Sequence, residues 1–496
     1  MTKIEIKNLV FGYDSQNTLL FDHANLNIDN SWKLGLIGRN GRGKTTLLRL
    51  LQDQLEYRGE IIKQINFVYF PQKVTEHNLT VIEMLNKQTQ FEEWQVRKEL
   101  ALLDIREDIL NLSFDDLSGG EQTKILLALL FADKNNFPLI DEPTNHLDIT
   151  AREIVANYLR TKKQGFILIS HDRAFIDAVV DHVLAIERKK ILLYQGNYQS
   201  YEIQKKLADD LQQQQNEKAQ KEVTRLKQTY REKEKWAKSR ESVGKGKNKR
   251  KLKISSRPDD TVAKNQMRRA KAIETRMDKK VKEKEQVIKN IDFVEQLNIN
   301  FKSDHHNSLI KVNKLSLTIG NHKLFKPISF EVKKNEQVAI AGKNGVGKTS
   351  LIKTLFGKSK VNYTGTSEIA NNISVSIIRQ SFDERGTLTD FADRNKIDYQ
   401  ELLNILRKLG TERETFVNRI EDMSLGQKKR IEVARALLIP ATLYVWDEPL
   451  NYLDVYNRQQ LEQLISVYRP TLLLIEHDEH FLSSIGATRI ELRAEE

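Results

Sequence analysis

One eight-residue pattern stands twice in the chain. Gly38-Arg-Asn-Gly-Arg-Gly43-Lys44-Thr45 returns as Gly342-Lys-Asn-Gly-Val-Gly347-Lys348-Thr349, each time after a short apolar run, Leu34-Gly-Leu-Ile and Val338-Ala-Ile-Ala. Other segments repeat in the same order. Leu117-Ser118-Gly119-Gly120-Glu121-Gln122 is answered by Met423-Ser424-Leu425-Gly426-Gln427, and Asp141-Glu142-Pro143 by Asp447-Glu448-Pro449. Asn145-His-Leu-Asp148 returns as Asn451-Tyr-Leu-Asp454, and Ser170-His171-Asp172 as Glu476-His477-Asp478. The offset is 304 positions for the lysines and 306 for Ser118/Ser424, Glu142/Glu448 and His171/His477. Chance does not hold such a register over hundreds of residues, so the chain is a tandem duplication. It must build the same α/β lobe twice.

The repeated GxxxxGK[ST] pattern between a strand and a helix has a physical reading. Glycines let the backbone wrap a phosphate chain with its N–H groups, and the following helix adds its positive end. The candidate phosphate binders are Gly38, Asn40, Gly41, Gly43, Lys44, Thr45 and Thr46, then Gly342, Asn344, Gly345, Gly347, Lys348, Thr349 and Ser350. Each lysine would meet the β- and γ-phosphates and each threonine hydroxyl a Mg²⁺.

Composition narrows what surrounds these loops. At about 150 residues per domain, 496 residues argue for two to four folded units. There is no cysteine, which excludes disulfides, thiolate catalysis and Cys-ligated metal sites. No apolar run approaches the ~18 residues that cross a bilayer, and MTKIEIKNLV has no secretory core, so the cytoplasm is expected.

The net charge of +12 is unevenly spread. Residues 221–290 hold 25 Lys+Arg against 10 Asp+Glu, a net of +15, which leaves −3 for everything else. Between Pro143 and Pro327 the only proline is Pro258, and between Gly196 and Gly320 the only glycines are Gly244 and Gly246. With so few helix breakers, the region reads as helices at roughly 203–242 and 262–297 joined by the tip 243–261. Narrow apolar seams (Ala219, Val223, Leu226, Tyr230; Ala270, Ile273, Met277, Val281) suit an antiparallel hairpin. Its one-signed charge favours a polyanion-binding arm over a self-paired spacer. Lys245, Lys247, Lys249, Arg250, Lys251, Lys253 and Arg257 suit RNA phosphates, with Trp236 available to stack. A generic polyanion patch or nuclear-localisation signal is the alternative for KNKRKLK alone.

The ordered set of phosphate loop, glutamine loop (Gln72 in FPQ, Gln380 in IRQ), LSGGE segment, acidic strand end and switch histidine resembles the ABC ATPase nucleotide-binding domain, twice over. Two such domains joined by a long charged linker resemble the ABC-F family. The wording GLIGRNGRGKTTLLRLL, FPLIDEPTNHLD and YQGNY is similar to its Lsa group of antibiotic-resistance proteins. The resemblance implies two tandem ABC-type P-loop ATPase domains, 1–202 and 301–496, joined by a helical hairpin over 203–300. It implies ATP hydrolysis with Mg²⁺. Asp141 and Asp447 would hold the metal shell, Gln72 and Gln380 would complete it, Glu142 and Glu448 would orient or deprotonate the attacking water, and His171 and His477 would contact the γ-phosphate. Ser118 and Gly120 would cap the site built on Lys348, and Ser424 and Gly426 the site built on Lys44. Tyr13 would stack on adenine, whereas the second lobe has Ile319 there. Leu425 replaces a glycine and is expected to crowd the phosphate, making the Lys44 site the weaker in turnover.

For partners, the resemblance implies a monomer acting on the bacterial ribosome, with the hairpin reaching large-subunit rRNA and P-site tRNA near the peptidyl-transferase centre. There it would relieve lincosamides, streptogramin A and pleuromutilins. A housekeeping ABC-F translation factor and the ATPase subunit of an efflux transporter are the alternatives. Gln72 to Ser118 is 46 positions and Gln380 to Ser424 is 44, so little or no extra arm subdomain is expected in the first lobe. With 19 residues after His477, no basic C-terminal extension is expected.

Overall fold

The computed structural model describes residues 3–13, 19–72, 79–88, 93–145, 147–187, 189–244, 279, 295–303, 305–320, 322–343, 345–357, 361–380 and 382–495. Asn344, the tip residues Lys245, Lys247, Lys249, Arg250, Lys251, Lys253 and Arg257, and nearly all of the expected second linker helix lie outside the described residues, as does the side chain of Trp236.

The first lobe opens with an antiparallel sheet of β1 (Lys3–Phe11), β2 (Phe21–Asp29) and, after β3 (Lys33–Gly38) and α1 (Lys44–Leu51), β4 (Arg58–Ile62). Next come β5 (Asn66–Phe70), α2 (Val81–Gln88), α3 (Glu93–Leu102), α4 (Gly119–Ala132), β6 (Asn136–Asp141), α5 (Ile149–Thr161), β7 (Phe166–Ile169), α6 (Arg173–Val179), β8 (His182–Glu187) and β9 (Lys190–Gln195). A six-stranded sheet runs β5-β6-β7-β3-β8-β9, parallel except for β9. Its central strands read as unbroken apolar runs because both faces are covered. Along β7, Phe166 and Leu168 enter one core cluster while Ile167 and Ile169 enter the other.

The second lobe repeats this plan with β10 (Ser308–Ile319), β11 (His322–Lys323), β12 (Ile328–Lys333), β13 (Gln337–Gly342), α8 (Lys348–Leu355), β14 (Asn362–Ile369), β15 (Val375–Ile378), α9 (Leu388–Asn395), α10 (Tyr399–Lys408), α11 (Leu425–Leu438), β16 (Leu443–Asp447), α12 (Val455–Tyr468), β17 (Leu472–Ile475), α13 (Glu479–Ser484) and β18 (Thr488–Leu492). Its parallel sheet has five strands, β15-β16-β17-β13-β18. Among the described residues nothing in this lobe matches β9. In both lobes the phosphate loop, the acidic strand end and the switch histidine follow neighbouring parallel strands, the usual place for a ligand crevice.

The helix leaving the first lobe, α7, spans Tyr198–Gly244 and begins about five residues earlier than the expected start near 203. The return path differs from the expected helix to 297. Residues 295–300 have no helix. Leu297 and Ile299 turn inward at a two-residue spacing, and the Asn300 N–H donates to the Leu437 carbonyl at 3.0 Å. Period-two burial against α11 outweighs local helix propensity there. The chain divides into two compact units, Met1–Tyr201 with Val294–Glu496, and Glu202–Phe293. Among the described residues no helix is long and apolar enough to cross a membrane.

Candidate active site

Each phosphate loop closes on its own lysine. Lys44 Nζ donates to the Gly38 carbonyl (2.7 Å) and Asn40 Oδ1 (3.2 Å), and Lys348 Nζ to the carbonyls of Gly342 (2.8 Å) and Lys343 (3.0 Å). Burial pushes both ammonium groups below their usual range, against the pull of nearby carboxylates. Gly43 and Gly347 have φ of 93° and 103°, which glycine adopts without strain. A Cβ at Gly41 or Gly345 would meet nothing within 4 Å, so the loop backbone faces open space where a phosphate chain fits.

Thr45 Oγ1 donates to Asp141 Oδ2 at 3.2 Å, and Thr349 Oγ1 to Asp447 Oδ1 at 3.4 Å. Burial raises both carboxyl groups, Asp447 to about 6. Among the described residues no group of three or more His, Asp or Glu side chains could hold a metal by itself. One carboxylate beside one hydroxyl instead fits Mg²⁺, which takes few protein ligands and completes its shell with water and phosphate oxygens.

The adjacent glutamates share a left-handed backbone, φ 52° at Glu142 and 48° at Glu448, in which a non-glycine residue is strained. Cross-strand bonds hold it, from the Glu142 N–H to the Ile169 carbonyl (2.8 Å) and from Glu448 to Ile475 (3.0 Å). Beyond this the two part. Glu448 Oε2 accepts from Gln380 Nε2 (3.2 Å) and Asn451 Nδ2 (2.8 Å). Glu142 Oε1 lies 3.3 Å from His171 Nε2 but makes no aligned hydrogen bond. Burial, with help from Asp141, pushes Glu142 up to about 8, and burial holds His171 well below the usual imidazole range. Near neutral pH this pair is therefore uncharged before substrate arrives. His477 is also held down, to about 4, chiefly by burial, and neither ring nitrogen has a hydrogen-bond partner among the described residues.

Two cavities lie across the seam between the lobes. One, about 900 Å³, is lined by Gly345, Gly347, Lys348, Thr349, Ser350, Gln380 and Glu448 from the second lobe and by Ser118, Gly120, Glu121 and Asp148 from the first. The other, about 350 Å³, is lined by Asn40, Gly41, Lys44, Thr45, Asp141, Glu142 and His171 from the first lobe and by Ser424, Gly426, Gln427, Arg430 and Tyr452 from the second. The structure thus brings each serine–glycine segment onto the opposite lobe's phosphate loop. Ser118 and Ser424 cap α4 and α11 through capping boxes, with Glu121 and Gln427 as the reciprocal partners. One helix end consequently carries a carboxylate where the other carries a neutral amide.

The smaller cavity is drawn shut by direct bonds. The Asn40 N–H donates to Asp454 Oδ2 at 2.7 Å, and Asn40 Nδ2 to the Tyr452 carbonyl at 3.2 Å. Leu425, expected to crowd this site, is 60% exposed at the start of α11 and is not among the residues that line it. Its side chain leaves the helix on the solvent side, so the narrowing comes from Asn40, Tyr452 and Asp454. Gln72 does not reach the Lys44 cavity either. Its Nε2 donates to the Leu126 carbonyl at 3.4 Å, whereas Gln380 sits on Glu448. The Tyr13 hydroxyl pairs with that of Thr46 at 3.0 Å, and Ile319 is 51% exposed.

Several residues escaped the sequence reading. Tyr69 donates to Asp141 Oδ2 at 2.8 Å; its counterpart across the strand repeat is the apolar Ile377, so the duplication gave no hint of it. Arg430, six positions after Ser424, is buried 3.9 Å from Asp454. Glu476, standing where the first lobe has Ser170, is buried and accepts from the backbone of His477 (2.7 Å), Asp478 (3.2 Å) and Leu450 (3.3 Å). The Ser-to-Glu difference between the repeats was the available signal.

Comparison with known proteins agrees with this geometry. Residues 21–145 and 325–451 match the family described as "ABC transporter". The ribosome protection protein VmlR of Bacillus subtilis is 28% identical over 486 residues, covering 96% of this chain and 85% of that protein. The ATP-binding protein Uup of Caulobacter vibrioides is 28% identical over 489 residues, 95% of this chain and 74% of its own. A solved complex of an archaeal ribosomal stalk protein and the recycling factor aABCE1 superposes with a TM-score of 0.65 at 19% identity, covering 98% of this chain and 88% of that one, which shows the shared fold.

Proposed function

Because this chain belongs to the ABC-F family of ABC ATPases and hydrolyses ATP, we propose that it binds the bacterial ribosome in an ATP-dependent way and protects the peptidyl-transferase centre from antibiotics. The domains of the reading are ATPase lobes at 1–202 and 301–496 and a basic linker at 203–300. The observation that carries the switch is the placement of Ser118 and Gly120 on the cavity of Lys348, with Ser424 and Gly426 on that of Lys44. ATP bound there touches both lobes at once, so it holds them together, and loss of the γ-phosphate removes those contacts.

The chain's own groups divide the chemistry. Lys44 and Lys348 leave their loop carbonyls to meet the β- and γ-phosphates, and the helix ends at Ser118 and Ser424 face the γ-phosphate from the other side. Glu448, steadied by two amide donors, orients the attacking water, and His477, buried and without a hydrogen-bond partner among the described residues, has its ring N–H free to donate to a phosphate oxygen. Thr45 with Asp141, and Thr349 with Asp447, would hold Mg²⁺, which neutralises charge on the phosphates when bound.

The ribosome enters through the linker and the relatives. A net of +15 over 221–290 suits RNA phosphates, and a relative covering 96% of the chain is named a ribosome protection protein. The further parts of the reading are action in the cytoplasm as a monomer, contact of the tip with rRNA and P-site tRNA, and relief of lincosamides, streptogramin A and pleuromutilins. The test is a Glu142→Gln/Glu448→Gln variant expressed beside the wild type in a drug-sensitive bacterium. ATP should trap the variant on ribosomes in co-sedimentation, and the wild type should support growth in lincosamide or pleuromutilin. Failure to trap overturns the ribosomal reading. Trapping without drug resistance favours a housekeeping translation factor.

A further inference from the structure

Among the described residues, the Lys44 site is joined to the root of the linker helix by three side chains, and the Lys348 site is not. Arg39 stands inside the first phosphate loop, between Gly38 and Asn40, with its guanidinium 5.1 Å from the centroid of the Tyr456 ring. Tyr456 in turn shares a side-chain hydrogen bond with Tyr201. Tyr201 lies in the first turn of the Tyr198–Gly244 helix, is 3% exposed, and packs edge-on to Tyr194 of β9 at 5.0 Å. Asp454, two residues before Tyr456, accepts the Asn40 N–H, so this short stretch of the second lobe grips the loop by its backbone and by its neighbouring side chain. Among the described residues the mirror side chains differ. Lys343 replaces Arg39, Thr150 replaces Tyr456 (150 plus 306), and no strand among the described residues matches β9.

A phosphate-filled loop must release Lys44 from Gly38 and Asn40, which resets the loop that Arg39 and Asn40 belong to. An aromatic ring held on its face by a cation and at its hydroxyl by another tyrosine passes such a shift on as a rigid body. The helix that receives it continues without a break from Tyr201 to Gly244. We propose that Tyr456 is a positioning residue that couples nucleotide occupancy at the Lys44 site, and at that site alone, to the root of the linker helix. This deepens the reading in which ATP sets the linker for ribosome binding, but its test needs no ribosome.

Hydrogen exchange across residues 198–210 is measured in the Glu142→Gln/Glu448→Gln protein with and without ATP. ATP should slow exchange there. Tyr456→Ala and the more accessible Arg39→Ala should each lose the ATP-dependent slowing, while Tyr456→Phe, which keeps the ring over Arg39 but not the hydroxyl bond, should keep part of it. Adding Lys44→Ala should abolish the slowing and adding Lys348→Ala should leave it. Full slowing in Tyr456→Ala, equal loss in Lys44→Ala and Lys348→Ala, or no slowing in the parent protein would each overturn the proposal. Ribosome co-sedimentation of the same proteins separates that result from failure of the ribosomal reading.

Discussion

At the Lys348 site, Glu448 is held by the side chains of Gln380 and Asn451, and the cavity beside it is about 900 Å³. At the Lys44 site the equivalent Glu142 has neither partner, its glutamine is turned to the Leu126 carbonyl, and the cavity is about 350 Å³. The motif residues match almost one for one, yet one site has its strand-end glutamate set by two donors and the other is closed around a neutral Glu–His pair. Motifs fix which groups are present; the surrounding packing fixes what state they are in.

The largest expected difference is in turnover. Glu448→Gln should lower steady-state ATPase by roughly 100-fold or more, the scale of a lost general base, whereas Glu142→Gln should leave more than half of it. Equal residual rates would erase the contrast. Slower turnover at the site capped by Ser424 was also the expectation from the sequence, but its cause moves from Leu425 to Asn40, Gln72 and Glu142.

A second difference lies in the seam itself. Arg173, immediately after the first switch segment, donates to Glu462 at 3.2 Å and to the Val455 carbonyl at 3.1 Å, and is 4% exposed. Its mirror residue Glu479 pairs with Arg489 within its own lobe, at an exposed position. Arg173→Ala should cost roughly 3 kcal/mol in a urea denaturation of the unliganded protein, at the low end for a broken buried pair because Glu462 is already raised towards neutrality. Glu479→Ala should stay within about 0.5 kcal/mol. Similar losses in both would make the seam symmetric.

A third difference is a pH dependence. Glu142 is raised from 4.5 to about 8 in the folded protein. Below about pH 4 it is protonated in both folded and unfolded chains and contributes nothing. Between 4.5 and 8 the unfolded chain releases the proton and the folded one keeps it, so a cost builds, and it is complete above 8. Glu142→Gln should therefore raise the melting temperature of the unliganded protein at pH 8.5 and leave it unchanged at pH 4. A pH-independent shift would remove the argument that Glu142 starts neutral.

Much of this was legible in the residues. The two phosphate loops, the acidic strand ends and the switch histidines sit in strand–loop–helix contexts that local chemistry dictates, and their offsets of 304 and 306 positions point to two copies of one fold. What was not legible depends on contacts between residues hundreds of positions apart. Leu425 looks obstructive in a linear motif, but only the start of α11 shows that it faces solvent. Gln72 and Gln380 read alike, and they diverge because one finds a helix carbonyl and the other a carboxylate. The Arg39–Tyr456–Tyr201 path joins three residues that share no motif. The expected helix to 297 runs into the extended stretch 295–300 because the period-two burial there is too short to outvote the helical sequence before it.

The central claim is that the two sites differ in function, with the closed Lys44 site retaining nucleotide while the Lys348 site turns it over. Rapid filtration of protein loaded with radiolabelled ATP, followed by identification of the bound nucleotide, tests it directly. The account predicts about one slowly released, unhydrolysed ATP per chain in the wild type, kept in Lys348→Ala and lost in Lys44→Ala. Retained ATP that depends on Lys348, or equal loss in both variants, would contradict it.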